Sequence, residues 1–365
     1  MTALTGVRAE TVARPKVRAS RVTVVFVGLS LGLAVMVLVA AGRGQLDIPP
    51  GEVFASILHR VGNLFGLDIG SVPTHPQGEN ALWQVRFPRV ALGVVVGAAL
   101  ASAGAMMQGV FGNPLAEPGV VGVSAGAALA ASSAIAFGIT VAGVWTIPIF
   151  AFLGGLVTTL LVYLMSRDGG RTEVVTLVLT GIAVNAVAQA GMALVMFMAD
   201  TQAREQIVFW TLGSLNGTRW QYVGVVAPLC LAGIVGAMVL SRQLDLLSLG
   251  DRAARHVGVD VERLRIISIF LVAVLTAAAV SFCGVIGFVG LVVPHLVRIV
   301  LGPGHRLLIP ASALGGALLL VSADLFARTL VQYADLPIGM LTALVGGPFF
   351  FWLLRRTRRT AGGWA

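Results

Sequence analysis

The residues of this chain whose types and spacing could do chemistry are few, and they suit recognition rather than bond making. Arg86-Phe-Pro-Arg89 sets two guanidiniums around a proline, and Arg328, followed by Asp335, stands near the end of a later apolar run. A guanidinium stays charged and its planar fork pairs bidentately with carboxylates, so these positions call for an anionic partner, a lipid headgroup or an internal acid. In Leu249-Gly-Asp-Arg-Ala-Ala-Arg-His-Val-Gly258, the residues Leu249, Ala253, Val257 and, across Gly258, Val261 recur at helical spacing among charges of both signs. That pattern predicts a helix of about two turns between Gly250 and Gly258, with an apolar face that seats on a partner protein or on lipid.

Catalysis has no comparable set of residues. His256, His295 and His305 are too scattered for a metal site, and structural pairing is their expected use. Cys230 and Cys283 lie inside apolar runs, where a free thiol behaves as a small hydrophobe. No Gly-x-x-x-x-Gly-Lys-Ser/Thr phosphate loop occurs, so any work done with ATP needs another chain. Within the apolar runs the polar groups are mainly amide, hydroxyl and thioether: Gln108, Asn113, Ser124, Thr180, Asn185 and Gln189, with Met106, Met107, Met192, Met196 and Met198. Formal charge there is scarce, which counts against an ion-coupled carrier.

The elements that must position these residues follow from composition. Of 365 residues, 57% are hydrophobic and 11% charged, and the mean hydropathy is +0.92. Such a chain is built to dissolve in lipid, where helices of about 20 residues are the expected spanning element. Apolar runs occupy 22–41, 87–111, 119–137, 144–165, 174–198, 221–240, 265–283, 285–301, 307–325 and 338–354, predicting an all-α polytopic membrane protein of about ten spans. The run at 22–41 is longer than a signal-peptide core and is expected to be a retained first helix. The net charge of +9 is clustered at loop ends and termini, with no basic stripe interleaved with aromatics, so nucleic acid is not the expected partner. An even number of spans with both termini in the cytoplasm places 18 of the 25 Lys and Arg on the cytoplasmic side.

The organisation expected is a basic tail at 1–21, a permease body at 22–354 with a cytoplasmic excursion at 244–265, and a basic tail at 355–365. Two outer excursions, 42–86 and 199–219, interrupt the spans, the first with a short helix at about 50–62. Asn113-Pro-Leu-Ala-Glu-Pro-Gly119 is expected to break the chain between two spans, and Pro294-His295 to interrupt the eighth. Gly97-x-x-x-Ala101 and Gly122-x-x-x-Gly126 fit close helix packing.

Arg86-Phe-Pro-Arg89, Gly97-Ala-Ala-Leu-Ala-Ser-Ala-Gly104, Gln108 to Gly119 and Gly122-Val-Ser-Ala-Gly126 resemble the FecCD family of membrane permeases, the ABC-importer subunits for ferric siderophores, haem and cobalamin. Further matches are Trp210-Thr-Leu-Gly-Ser-Leu215, Leu249-Gly-Asp251 with His256-Val-Gly258, and Gly287-Phe-Val-Gly-Leu-Val-Val-Pro-His295. Arg298, His305-Arg306, Asp335-Leu-Pro-Ile-Gly339 and Gly346-Gly-Pro348 complete a resemblance that covers about 85 to 359.

The resemblance implies a type II ABC importer permease fold of ten helices and a multi-pass location in the bacterial cytoplasmic membrane. It implies a second permease subunit (a homodimer is expected), two cytoplasmic ATPases carrying ATP and Mg, and an extracytoplasmic substrate-binding protein. The chain itself would then be a transport subunit, not an enzyme, with no cofactor of its own. By the same resemblance, Arg86, Arg89 and Arg328 would dock the binding protein. Leu249, Gly250, Asp251, Ala254, His256 and Gly258 would form the coupling helix in the ATPase groove. Asn113, Pro114 and Leu115 would sit at the cytoplasmic gate, with Glu173 and Val174 as its other element; the stretch 171–175 departs from the Ser/Thr-rich pattern of cobalamin permeases. The expected cargo is an iron chelate, siderophore or haem, with cobalamin as the alternative and an ion-coupled carrier behind it. Replacing Arg86 and Arg89 with Glu is expected to abolish uptake by impairing docking while leaving assembly intact.

Overall fold

The computed structural model describes residues 19–168, 171–331 and 334–360, so most of the basic amino-terminal tail and the end of the carboxyl-terminal tail lie outside the described residues. Each of the ten apolar runs forms one helix. In chain order the helices are α1 (Ala19–Gly42), α2 (Pro50–Leu64), α3 (Gly78–Val110), α4 (Val123–Ala136), α5 (Thr146–Met165), α6 (Val174–Met198), α7 (Thr201–Leu212), α8 (Trp220–Leu247), α9 (Asp251–His256), α10 (Val261–Cys283), α11 (Val289–Leu301), α12 (His305–Thr329) and α13 (Ile338–Thr360). Seven are long and apolar enough to cross a membrane. The runs of α4, α11 and the apolar part of α13 are shorter. The more polar α2, α7 and α9 fall in the three segments expected to leave the membrane. A two-residue antiparallel pair, β1 (Arg167–Asp168) with β2 (Arg171–Thr172), precedes α6.

A helix that is apolar all round belongs in the middle of a bundle, and α3 is buried along almost all of Phe87 to Val110. Lipid gives helices no hydrophobic reason to associate, so close backbone contact at small residues does much of the holding. A Cβ on Gly97 would lie 2.3 Å from the Gly316 carbonyl oxygen, and one on Gly316 would lie 2.2 Å from that of Gly97, so α3 and α12 touch backbone to backbone. Gly126 on α4 meets Gly154 and Thr158 on α5 in the same way. Both small-residue pairs expected from the sequence therefore mark real helix contacts.

The first expected break is present. After α3 the chain turns back and enters a short 3-10 turn, Pro118–Val121, before α4 begins. Pro118 packs beside Gly290, which itself lies against Leu100 near the middle of α3, so this irregular segment reaches into the depth of the bundle. The second break differs from expectation. Pro294 lies inside a continuous α11, and the interruption comes earlier, at 284–288. Proline removes the amide that would have bonded to the Gly290 carbonyl, and that oxygen lies where a Cβ on Gly104 would be only 1.8 Å away. The helix nonetheless runs on through Pro294, with the Gly290 carbonyl packed directly against Gly104 of α3. At the true break Phe288 is the one non-glycine residue with positive φ among the described residues, at 66°. Its amide donates to Glu117 Oε1 at 3.1 Å, joining the two irregular segments to each other.

A side chain at position 104 has no room. Gly104→Val is expected to destabilise the permease by about 1–3 kcal/mol through overpacking against Gly290. Gly347→Ala, where the added Cβ meets nothing within 4 Å, is the matched control. Thermal unfolding of the two variants in the same detergent reads the difference.

Candidate functional site

Polar side chains converge at two opposite ends of the bundle. At one end the last turn of α1 leaves carbonyls without helical partners, and two arginines supply the missing donors. Arg86 Nη1 donates to the Ala41 and Gly42 oxygens, both at 2.8 Å, and Nη2 donates to the Leu46 oxygen. Arg328 Nη1 donates to the Arg43 oxygen at 2.9 Å and Nη2 to that of Ala40. Arg89 is bound to acids instead. Its Nε donates to Asp324 Oδ1 at 2.9 Å and its Nη1 to Asp335 Oδ2 at 2.8 Å. Asp324 is 2% exposed and also lies 3.5 Å from Arg328. The three arginines line one cavity of about 480 Å³ together with Asp335 and Asn216.

The three arginines grouped from the sequence line one cavity, and of the partners open to them the internal one is present: Arg89 is held by Asp324 and Asp335, and Arg86 and Arg328 by backbone carbonyls. Arg86 and Arg89 are 7% and 8% exposed. Exchanging both for Glu would remove the cap on α1 and set like charges against Asp324 and Asp335, so that double variant does not isolate docking from folding. Asp324 is the residue the sequence reading missed. Its one signal is a lone carboxylate inside the apolar run 307–325, a place where a charge needs a named partner.

At the other end α9 stands between α8 and α10. Gly250 and Gly258 adopt φ of 98° and 86°, left-handed turns that set the helix off on both sides. Leu249 and Val257 are 51% and 59% exposed, and Ala253 beside them is exposed too. Val261 is buried, so the exposed apolar stripe ends at Gly258. Ala254 is fully buried and anchors the helix to the bundle rather than facing outward. His256 is exposed, with its ring Nδ1 2.7 Å from the Arg252 carbonyl.

Asp251 ties α9 inward. Its Oδ1 accepts from Arg265 Nη2 at 2.9 Å, and Arg265, 7% exposed, donates through Nη1 to the Thr172 oxygen at 3.2 Å. Glu262 accepts from the Thr172 amide at 3.0 Å and its hydroxyl at 2.5 Å. A short chain of polar contacts therefore runs from α9 through α10 to β2, directly before Glu173 and Val174. Asn113 Oδ1 accepts from the Leu115 amide at 2.9 Å, shaping the turn after α3, and His295 on α11 reaches the Pro114 carbonyl. No hydrogen bond or ion pair among the described residues joins this turn to Glu173 or Val174. His305 pairs with Asp245 at 2.7 Å, a structural use of the kind expected for the scattered histidines.

A helical bundle with two segments broken at depth, a charged cavity at one end and a short helix with an exposed apolar stripe at the other is, in class, a polytopic membrane permease. Residues 17–356 match the FecCD transport family, and the chain belongs to it. It is 42% identical to the hemin transport system permease of Yersinia pestis, over 78% of this chain and 87% of that one. Likeness to a cobalamin import system permease of Halobacterium salinarum is also 42%, over 74% and 72% of the two chains. The Fe(3+) dicitrate transport system permease FecD of Escherichia coli is 40% identical, over 76% and 86%. A solved metal-chelate type ABC transporter in an inward-facing conformation superposes with a TM-score of 0.78 at 32% identity, covering 92% of this chain and 99% of that one. The chain is the permease of an ABC importer.

Asp324 is shared by Arg89 and Arg328, so removing it leaves two buried guanidiniums with Asp335 alone between them. Asp324→Ala is expected to cost about 3–5 kcal/mol of stability, whereas Asp324→Asn, which keeps the acceptor oxygen and the volume, loses less. Unfolding midpoints of the purified permease compare the two.

Proposed function

We propose that this chain forms the membrane path of an ATP-driven importer that carries an iron chelate, a ferric siderophore or haem, into the bacterial cytoplasm. The observation that carries the reading is α9: a short helix outside the spans, set off by two left-handed glycines, with Leu249, Ala253 and Val257 exposed and Ala254 and Asp251 holding it from behind. An exposed apolar face on a braced helix is suited to the groove of a separate motor, here two cytoplasmic ATPases that hold ATP and Mg. Both termini would then lie in the cytoplasm, and the arginine end would face outward. A second copy of the permease completes the path, and an extracytoplasmic binding protein delivers the cargo by placing acidic side chains in the cavity over Arg86, Arg89 and Arg328. The 42% likeness to a cobalamin permease supports cobalamin as the second reading.

The mechanism is mechanical. ATP binding draws the ATPases together and displaces α9, and Asp251, Arg265, Thr172 and Glu262 hand that displacement to the hairpin that starts α6. The bundle then alternates between two openings, as packed two-state elements do. Residues of this chain make and break no covalent bond.

Charging the exposed stripe tests the reading. Leu249→Arg with Val257→Arg is expected to lose co-purification of the ATPases by about tenfold or more. The thermal midpoint of the permease alone should stay unchanged, because both side chains are solvent-facing. Retained ATPase association in this variant removes α9 from the motor interface. Uptake of radiolabelled hemin, a ferric siderophore and cyanocobalamin by cells dependent on this chain identifies the cargo class.

A further inference from the structure

Helix α2, at the arginine end, has a face that the bundle leaves uncovered. Phe54, Leu58, Val61 and, in the residue that ends the helix, Phe65 follow the i, i+4, i+7, i+11 spacing of one helical stripe. All four are exposed, Phe65 by 76%. Glu52, His59 and Asn63 fall on the opposite side, so the stripe itself carries no charge. A third side is held to the bundle. Ser56 donates to Glu79 Oε2 at 2.8 Å and accepts from Trp83 Nε1 at 3.0 Å, and the Arg60 guanidinium lies 4.9 Å from the centre of the Trp83 ring.

The position of α2 identifies what covers the stripe. The Ile48 amide donates to the Gly42 carbonyl at 2.9 Å, so the chain enters α2 within one hydrogen bond of the end of α1. Ala41, Ile48 and Val53 then pack with Leu82 and Phe87 of α3 in one apolar cluster. With 33 residues α3 is roughly 50 Å long, against a hydrocarbon core of about 30 Å. Its excess lies at the start, where Glu79, Asn80, Trp83 and Gln84 precede the apolar stretch from Phe87. Leu82 and Trp83, which seat α2, therefore stand where acyl chains give way to headgroups. Helix α1 is at the rim: Ala40, Ala41 and Gly42 are buried, while Val24, Val27, Leu31 and Val35 are exposed along the span. Joined to its end, α2 continues that lipid face at the level of the membrane surface.

We infer that α2 is an interfacial anchor, lying along the lipid surface with Phe54, Leu58, Val61 and Phe65 in the boundary between acyl chains and headgroups and Glu52, His59 and Asn63 toward water. An amphipathic helix binds such a surface through its buried apolar area. The anchor bears on the arginine cavity. Gly44, Gln45 and Leu46, in the link between α1 and α2, line that cavity, and the Leu46 carbonyl accepts from Arg86. Lipid contact at α2 thus steadies one wall of it. The same anchoring applies whichever compartment this end faces, so it stands apart from the import reading.

The test uses the full-length permease in lipid nanodiscs, carrying a nitroxide on one introduced cysteine. Native Cys230 and Cys283 are 0% and 2% exposed and stay unlabelled. Dissolved oxygen, which concentrates in lipid, and a water-soluble nickel chelate are the collision probes. Labels at Leu58→Cys and Phe65→Cys are expected to give an oxygen-to-nickel accessibility ratio about tenfold above that at Asn63→Cys. All three positions are exposed, so each variant should keep the thermal midpoint of the parent. Equal ratios at the three positions overturn the anchor. Exclusion of both probes at 58 and 65 overturns it too, because protein and not lipid then covers the stripe.

Discussion

A chain dissolved in lipid has to settle every charge and every backbone amide within itself, and the architecture here follows from that constraint. Helices settle most amides locally. The carbonyls at the end of α1 cannot be settled that way, and Arg86 and Arg328 reach across from other helices to take them. Arg89 then needs its own counter-charges, and Asp324 on α12 and Asp335 beyond it provide them. One end of the bundle is thereby tied from α1 through α3 to α12 by donors and acceptors that would each be costly alone.

The same constraint explains where irregular backbone is allowed. The 3-10 turn before α4 and the break before α11 both lie inside protein, and the Glu117 carboxylate receives the Phe288 amide that the break leaves open. Glycine contacts make room for these segments, since Gly104 and Gly290 allow α3, α11 and the Pro118 turn to meet with no side chains between them. Two broken segments at the centre and firm polar ties at the ends suit a body that moves by a few discrete rearrangements. The Asp251 to Thr172 contacts give a displacement of α9 a short route into that body.

Much of this was legible in the sequence because the signals are local. Ten apolar runs became ten helices, and Gly250 and Gly258 bracketed α9 as their spacing suggested. Gly97 with Ala101 marked the contact with α12. The shortness of α4 and α11 was less legible, because apolar residues continue through backbone that is no longer helical. Pro294 misled for a related reason: a proline reports a missing amide, and the helix continues through that loss while the break falls at 284–288.

Residue type and spacing by themselves determined that the protein lives in lipid, which segments form its helices, and which charged stretches stand out against the apolar background. Tertiary structure alone decided what those charges do. Arg89 and Asp324 are 235 residues apart, and nothing local to either specifies the other. Burial turns Arg86, Arg89 and Arg328 from exposed contacts into the floor of a cavity, and it turns Ala254 from a contact residue into an anchor. Pairing of charges depends on distance in space, and in a bundle that distance is set by which small residues let which helices touch.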